Sequence, residues 1–231
     1  MKSGSFLRRA LFAGATCLAL TATPVVLAGT LTSSSLTGEG VTVNYNGSNG
    51  GTTAGVFTGT FDSVAILFWC VDLAKHVSYP PFSYTGYTAA PFESSPLTFS
   101  AARQLDLARL FTNDFSSALT DAQHSAAFQI AIWDILFDND SNISTYGGAG
   151  QFGLSAGNAA TIAIAQGWVN TLGSGTPSFP LIQLTSRLHQ DFITPPVSGL
   201  LPEPSPLPLL GAGLVAMMFA MRRRKVRGHP M

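Results

Sequence analysis

Phe68-Trp69-Cys70-Val71-Asp72 sets the chemical question of this chain. The sequence holds two cysteines, and Cys17 lies in a stretch that reads as a removable export signal. The mature protein then keeps Cys70 alone, on an apolar β-like run, in an oxidising compartment. Such a thiol pairs with another chain, stays buried and inert, or is consumed by a bond within its own chain. Gln129 raises the complementary question. It shares a helix face with Ala126, Ile132 and Trp133, and a glutamine there must find a polar partner or carry a desolvation cost. A cysteine thiolate can attack a glutamine amide: ammonia leaves and a thioester remains. Water disfavours the exchange, so a fold must hold sulfur and carbonyl in contact and place donors for the oxyanion. Trp69 and Trp133 are the aromatic residues expected to shield the product. The bond would close a loop of about 60 residues, worth up to ~4 kcal/mol in a chain-entropy estimate.

The elements that must position this pair can be read in order. Val41 to Tyr45 alternates as a half-buried strand, Asn46 to Thr53 reads as a turn, and Val56 to Thr60 and Val64 to Val71 read as strands joined at Phe61-Asp62-Ser63. The apolar Val64 to Val71 run is expected to be buried on both faces. Tyr79 to Pro96 reads as an aromatic- and proline-rich loop. Ser100 is the expected N-cap of a helix that breaks at Asn113 to Leu119. Thr120-Asp121-Ala122-Gln123 has the form of a capping box opening a helix over Asp121 to Phe137. Asp138 to Gly157 reads as a loop, and Asn158 caps a third helix, Ala159 to Leu172, ending at Gly173. Leu181 to Leu184 reads as a late strand. This order implies an α+β fold: an antiparallel β-sheet or sandwich with a helical subdomain.

Phe68-Trp69-Cys70-Val71-Asp72, followed by Phe128-Gln129-Ile130-Ala131-Ile132-Trp133, resembles the thioester domains of bacterial surface proteins. The resemblance covers roughly Val41 to Leu184, and the helix Ala101 to Thr112 fits the family layout. It implies Cys70 as thioester sulfur, Gln129 as acyl donor, and covalent capture of a surface nucleophile, usually an amine. Such a protein reacts once without turnover, so it is not an enzyme, and it needs no cofactor.

The two ends of the chain carry sorting information. Lys2, Arg8 and Arg9 precede the apolar run Ala10 to Ala22, and Val26-Leu27-Ala28 fits signal cleavage, giving a signal peptide over 1–28 and an extracellular domain over 29–193. An uncleaved anchor, or a lipoprotein built on Cys17, are the alternatives. Residues 194–206 read as a Pro-rich linker containing Pro202, Glu203 and Pro204. Residues 207–221 read as a transmembrane helix, and 222–231 as a basic cytoplasmic tail led by Arg222, Arg223, Arg224 and Lys225. Fifteen helical residues span about 22 Å, short of the ~30 Å hydrocarbon core, which suits a transient anchor. This tail resembles the PEP-CTERM sorting signal of Gram-negative bacteria. The resemblance implies an exosortase-type protease as partner, an inner-membrane intermediate, and delivery to the cell surface or extracellular matrix, with adhesion or biofilm roles. A simple single-span anchor is the alternative.

The charge distribution argues against other classes. Zero net charge is the sum of basic ends and an acidic middle, where Lys75, Arg103, Arg109 and Arg187 face all 12 acidic residues. That pattern lacks the basic footprint of a nucleic-acid binder. The histidines lack zinc spacing, and Asp138, Asp140 and Asn142 start a calcium-loop pattern that Ile143 and Ala149 then break, so no metal is expected. A Cys/His hydrolase would need Cys70 beside His76 or His124. The remaining alternative is a noncovalent structural or polysaccharide-binding matrix protein with an inert Cys70.

Overall fold

A computed structural model describes residues 28–94, 99–138, 142–143, 151–173 and 176–200. Apart from Ala28, the signal segment lies outside the described residues, as do Pro202, Glu203, Pro204, the apolar run 207–221 and the basic cluster Arg222 to Lys225. Among the described residues no helix is long and apolar enough to cross a membrane.

The described chain is α+β, with seven strands and three α-helices. The strands are β1 (Ala28–Tyr45), β2 (Ser48–Phe61), β3 (Val64–Cys70), β4 (Phe82–Pro91), β5 (Phe152–Ala156), β6 (Ile182–Thr185) and β7 (Phe192–Thr194). They form one antiparallel sheet in the order β2-β3-β7-β6-β4-β1-β5, and β1 also pairs with β2. That extra pairing closes the sheet into a ring, with β5 added beside the far end of β1. Closure leaves the ring strands without a free edge along their paired lengths.

Two tight turns set the register. Asn46 and Gly47 both have positive φ, as do Asp62 and Ser63. Two-residue turns of this hand match the twist of the strands they join. The first turn is therefore shorter than the expected Asn46 to Thr53 segment, because Ser48 already pairs with Tyr45. Within the ring, Phe57 touches Phe68, Phe82 and Phe192, and Phe192 touches Tyr87. Phe57 and Phe82 lie on strands that are not neighbours, so this aromatic cluster fills the interior.

The helices are α1 (Ala101–Ala118), α2 (Ala122–Phe137) and α3 (Ala159–Asn170). Ser100 caps α1 by accepting from Arg103 N–H, Asp121 caps α2 from His124 N–H, and Asn158 caps α3 from Ala160 N–H. The cap of α2 thus falls one residue after Thr120. Helix α2 is buried at every position from Ser125 to Leu136, as expected of a helix apolar on all sides. It packs against α1, α3, β1, β2 and β5.

Several sequence expectations are corrected. Tyr79 to Pro96 is not all loop: Phe82–Pro91 is a strand bridging β1 and β6, since Phe82 and Tyr87 bury their rings in the aromatic cluster. Helix α1 does not break at Asn113, because Phe115 stacks on Phe111 and meets Trp69 edge to face, and Ala118 is buried. Asp138 to Gly157 includes β5, which pairs with β1. The supposed linker starts too early: Thr194 is buried in β7. Strand β3 is buried on both faces only from Phe68 on, since Ala65 is exposed.

Candidate functional site

Cys70 is the last residue of β3, and its position follows from how that strand ends. Strand β2 pairs with β3 from Phe61↔Val64 to Phe57↔Phe68. Beyond Phe57, β2 continues only with β1, where Gly55 pairs with Gly38. On the other side, Cys70 faces Phe192, and Val71 N–H donates to the Asp191 carbonyl. Backbone groups alternate between the two edges of a strand, so the Cys70 N–H and C=O point to the edge that β2 has left. These are buried groups that need partners.

Gln129 supplies both. Cys70 N–H donates to Gln129 Oε1 at 2.9 Å, and Gln129 Nε2 donates to the Cys70 carbonyl at 2.8 Å. The carboxamide stands where the next residue of β2 would have paired. Gln129 is fully buried, near the middle of α2, so the end of β3 and the helix carrying Gln129 meet at Cys70 itself.

The Cys70 side chain lies on the same face of β3 as Phe68, because strand side chains alternate. Phe68 belongs to the ring interior, so the thiol faces that way too. Cys70 is a free cysteine, almost fully buried, at the floor of a cleft of about 590 Å³. The cleft opens between the β1–β2 hairpin and the segment after β3, with Thr42, Thr52, Ser78, Tyr79 and Gln190 among its walls. Burial pushes the thiol's pKa well above the usual range, and the nearby Asp72 carboxylate pushes it the same way.

Trp69 and Trp133 take different places. Trp69 points to the helices and packs against Phe111, Phe115 and Phe128. It backs the strand on the face opposite the thiol. Trp133, one turn beyond Gln129, touches Phe152 and lines a second cleft of about 340 Å³ with Asp72, Lys75, His76 and Gln190. Both indole N–H groups are buried without a hydrogen-bond partner.

A polar network braces the strand end. Asp72 accepts from Ala74 N–H and Lys75 N–H, and Lys75 Nζ lies 3.4 Å from Asp72 Oδ2 and 3.2 Å from Asp191 Oδ2. Gln190 Nε2 donates to the Asp72 carbonyl at 2.6 Å, and Tyr87 Oη donates to the Gln190 carbonyl at 2.7 Å. Burial raises the Asp191 carboxyl, with the Ser186 N–H and Lys75 partly offsetting it. Burial also raises the Tyr87 phenol, helped by the Asp191 charge. Sequence reasoning missed Tyr87 and Gln190. No local pattern marks them: Gln190-Asp191-Phe192-Ile193 runs polar, polar, apolar, apolar, without the alternation of a half-buried strand.

The hydrolase alternative finds little here. His76 lines the second cleft rather than the one floored by Cys70. His124 pairs with Asp121 at the start of α2. No cluster of metal-ligating side chains occurs among the described residues. No family model, no curated protein and no solved structure matches this chain. The likeness to thioester domains and to the PEP-CTERM tail therefore rests on the motifs themselves.

Proposed function

We propose that this is an exported surface or matrix protein in which Cys70 Sγ and the Gln129 side chain form an internal thioester for covalent attachment. The observation that carries the reading is the carboxamide of Gln129 held against Cys70 by two hydrogen bonds. The Cys70 N–H on Oε1 is a donor already in place for the negative charge that develops there on attack. The carboxamide pairs with the strand backbone and so lies near the sheet plane, while the Cys70 side chain rises from that plane. The sulfur thus stands towards a face of the carbonyl, the side from which nucleophiles add.

The step balances without a cofactor. Sγ bonds to Cδ of Gln129, the Cδ–Nε2 bond breaks, and Nε2 leaves as ammonia carrying the thiol's proton. The raised thiol pKa favours direct handover of that proton over a free thiolate. A later amine or hydroxyl would displace the sulfur, keep the acyl group and return the proton to Cys70. Each chain reacts once, so no turnover is expected.

The sorting proposal rests on Pro202-Glu203-Pro204, the apolar run 207–221 and Arg222 to Lys225. It assigns an exosortase-type protease as partner, a membrane-held intermediate, and final delivery to the surface or matrix of a Gram-negative cell. Detecting the intact C-terminal peptide on the mature surface protein would count against processing.

A second reading is favoured by the same hydrogen bonds. Gln129 satisfies a strand edge that β2 has left, which is a structural task, and Cys70 would then be an inert buried thiol in a noncovalent matrix protein. Intact mass separates the two. The thioester protein is lighter by one ammonia, methylamine adds at Gln129 to leave the chain one methylene heavier than the chain without the bond, and Cys70→Ala abolishes the deficit. Wild-type protein at full mass, or a deficit that survives Cys70→Ala, would sink the covalent reading.

A further inference from the structure

The cleft above Cys70 has an unusual composition for a site expected to receive an amine. No Asp, Glu, Lys, Arg or His lines it among the described residues. Its walls carry hydroxyl and amide groups from Thr42, Thr52, Thr53, Ser78 and Gln190. Tyr79 lines it with 70% of its surface exposed, whereas every other Phe, Tyr and Trp among the described residues is buried or half-buried. Gln190 is almost fully buried, and its Nε2 is committed to the Asp72 carbonyl. Its Oε1 accepts no hydrogen bond from the described residues, and Gln190 lines both clefts.

A lysine amine is charged near neutral pH and would have to enter this site as an ammonium or shed its proton first. Burying an unpaired charge is costly. The carboxylate two residues beyond Cys70, Asp72, is already held by Lys75 and by two backbone N–H groups. A hydroxyl enters uncharged and can donate to a free acceptor. An exposed tyrosine offers a flat apolar face with a polar edge, which matches the C–H faces and hydroxyl rims of a sugar ring. The cleft volume of about 590 Å³ is in the range of small-ligand sites.

We infer that the nucleophile captured at Gln129 is a hydroxyl of a neutral oligosaccharide seated in the Thr/Ser-lined cleft against Tyr79. This rests on the thioester reading. The sugar oxygen bonds to Cδ of Gln129, the Cδ–Sγ bond breaks, and the hydroxyl proton passes to Cys70 Sγ. The product is an ester with a free thiol.

The test uses the full-length protein purified in detergent. It is incubated with a neutral glucan hexasaccharide or with cadaverine, and intact mass is followed. The expected result is a hexasaccharide adduct at Gln129 that hydroxylamine removes, formed about tenfold more slowly by Tyr79→Ala. Tyr79→Ala should keep the one-ammonia deficit, which shows that its site still assembles. A deficit accompanied by cadaverine adducts alone overturns the sugar assignment and leaves the thioester standing. A sugar adduct formed at the same rate by Tyr79→Ala overturns the seating in this cleft. Absence of the deficit in wild type overturns the thioester and this inference together.

Discussion

Replacing Gln129 with leucine in a Cys70→Ala background isolates what the carboxamide does for the fold. Leucine is similar in size, so the cavity contribution is small. Cys70→Ala keeps the backbone N–H and C=O that Gln129 holds at 2.9 and 2.8 Å. Both groups would be left buried and unpaired. Each such group costs about 1–3 kcal/mol, so Gln129→Leu should lower stability by about 2–6 kcal/mol. In the Cys70 background the same change also removes the proposed cross-link between residues 59 apart in sequence, which adds about 4 kcal/mol on the chain-entropy model. The two backgrounds should therefore differ by about 4 kcal/mol, read as the coupling term of a double-mutant cycle. Urea unfolding followed by fluorescence of the three tryptophans measures each free energy. A cost below ~1 kcal/mol in the Cys70→Ala background would refute the strand-edge argument. A coupling near zero would refute the cross-link while leaving the strand-edge argument intact.

The same site and its surroundings give further expectations. Gln129→Glu can reproduce both hydrogen bonds only when its carboxyl is protonated. Burial should raise its folded pKa above the unfolded value, so its stability is full below the unfolded pKa and is lost as pH rises through the folded one. Unfolding at pH 4 and pH 8 should show a gap absent from wild type. With the cross-link prevented by Gln129→Leu, the Cys70 thiol should react with iodoacetamide at pH 8 at least roughly tenfold more slowly than a free cysteine, because burial raises its pKa. Lys75→Met leaves Asp72 and Asp191 facing each other without their cation. We expect a loss of about 1–3 kcal/mol at pH 7, held down by the partial exposure of Lys75. The loss should shrink in acid, since Asp191 has a raised pKa and its protonated form needs no cation. Gly55→Ala should cost about 1–3 kcal/mol in urea unfolding, because a Cβ there would lie 2.7 Å from Gly38 Cα and would collide with the Thr37 carbonyl.

Legibility in the sequence followed the range of the interaction. The caps Ser100 and Asn158 depend on neighbours within one turn, and they could be read directly. The paired turn Asp62-Ser63 was equally local. Strands β4, β5 and β7 were not legible in the same way. Phe192, Ile193 and Thr194 make a strand of three residues, too short to show alternation, that pairs with nearby β6 on one edge and with distant β3 on the other, and Phe152–Ala156 extends only because β1 is long enough to receive it. Ring closure was likewise hidden, since it depends on one strand pairing along both edges. Gln129 was legible because it breaks a local rule, a polar side chain on an apolar helix. Its partner could be narrowed to the end of β3, but the atoms could not. Those depend on where β2 leaves β3, a tertiary event between Phe57 and Gly55.

That divergence also explains why a glutamine, and no apolar residue, stands at this point of α2. A helix buried on every side cannot satisfy a strand edge with its own backbone, because its N–H and C=O groups are already used within the helix. Only a side chain with a donor and an acceptor at one end can replace both lost strand bonds. Asparagine is shorter, and a carboxylate offers no donor. The structural requirement therefore selects a primary carboxamide and presses it against one residue. At most strand ends that residue would be inert. Here it is the only cysteine among the described residues, with its sulfur on the cleft side of the same backbone. The geometry that completes the sheet is thus also the geometry that holds a carboxamide against the backbone of a cysteine. The two roles are not exclusive, since a thioester would exchange the Nε2 bond for a covalent one while Oε1 could keep the Cys70 N–H. A protein that needed only the structural role would tolerate serine at position 70 with no mass change beyond the substitution itself and with its stability unchanged, whereas the thioester protein would also gain one ammonia and lose about 4 kcal/mol.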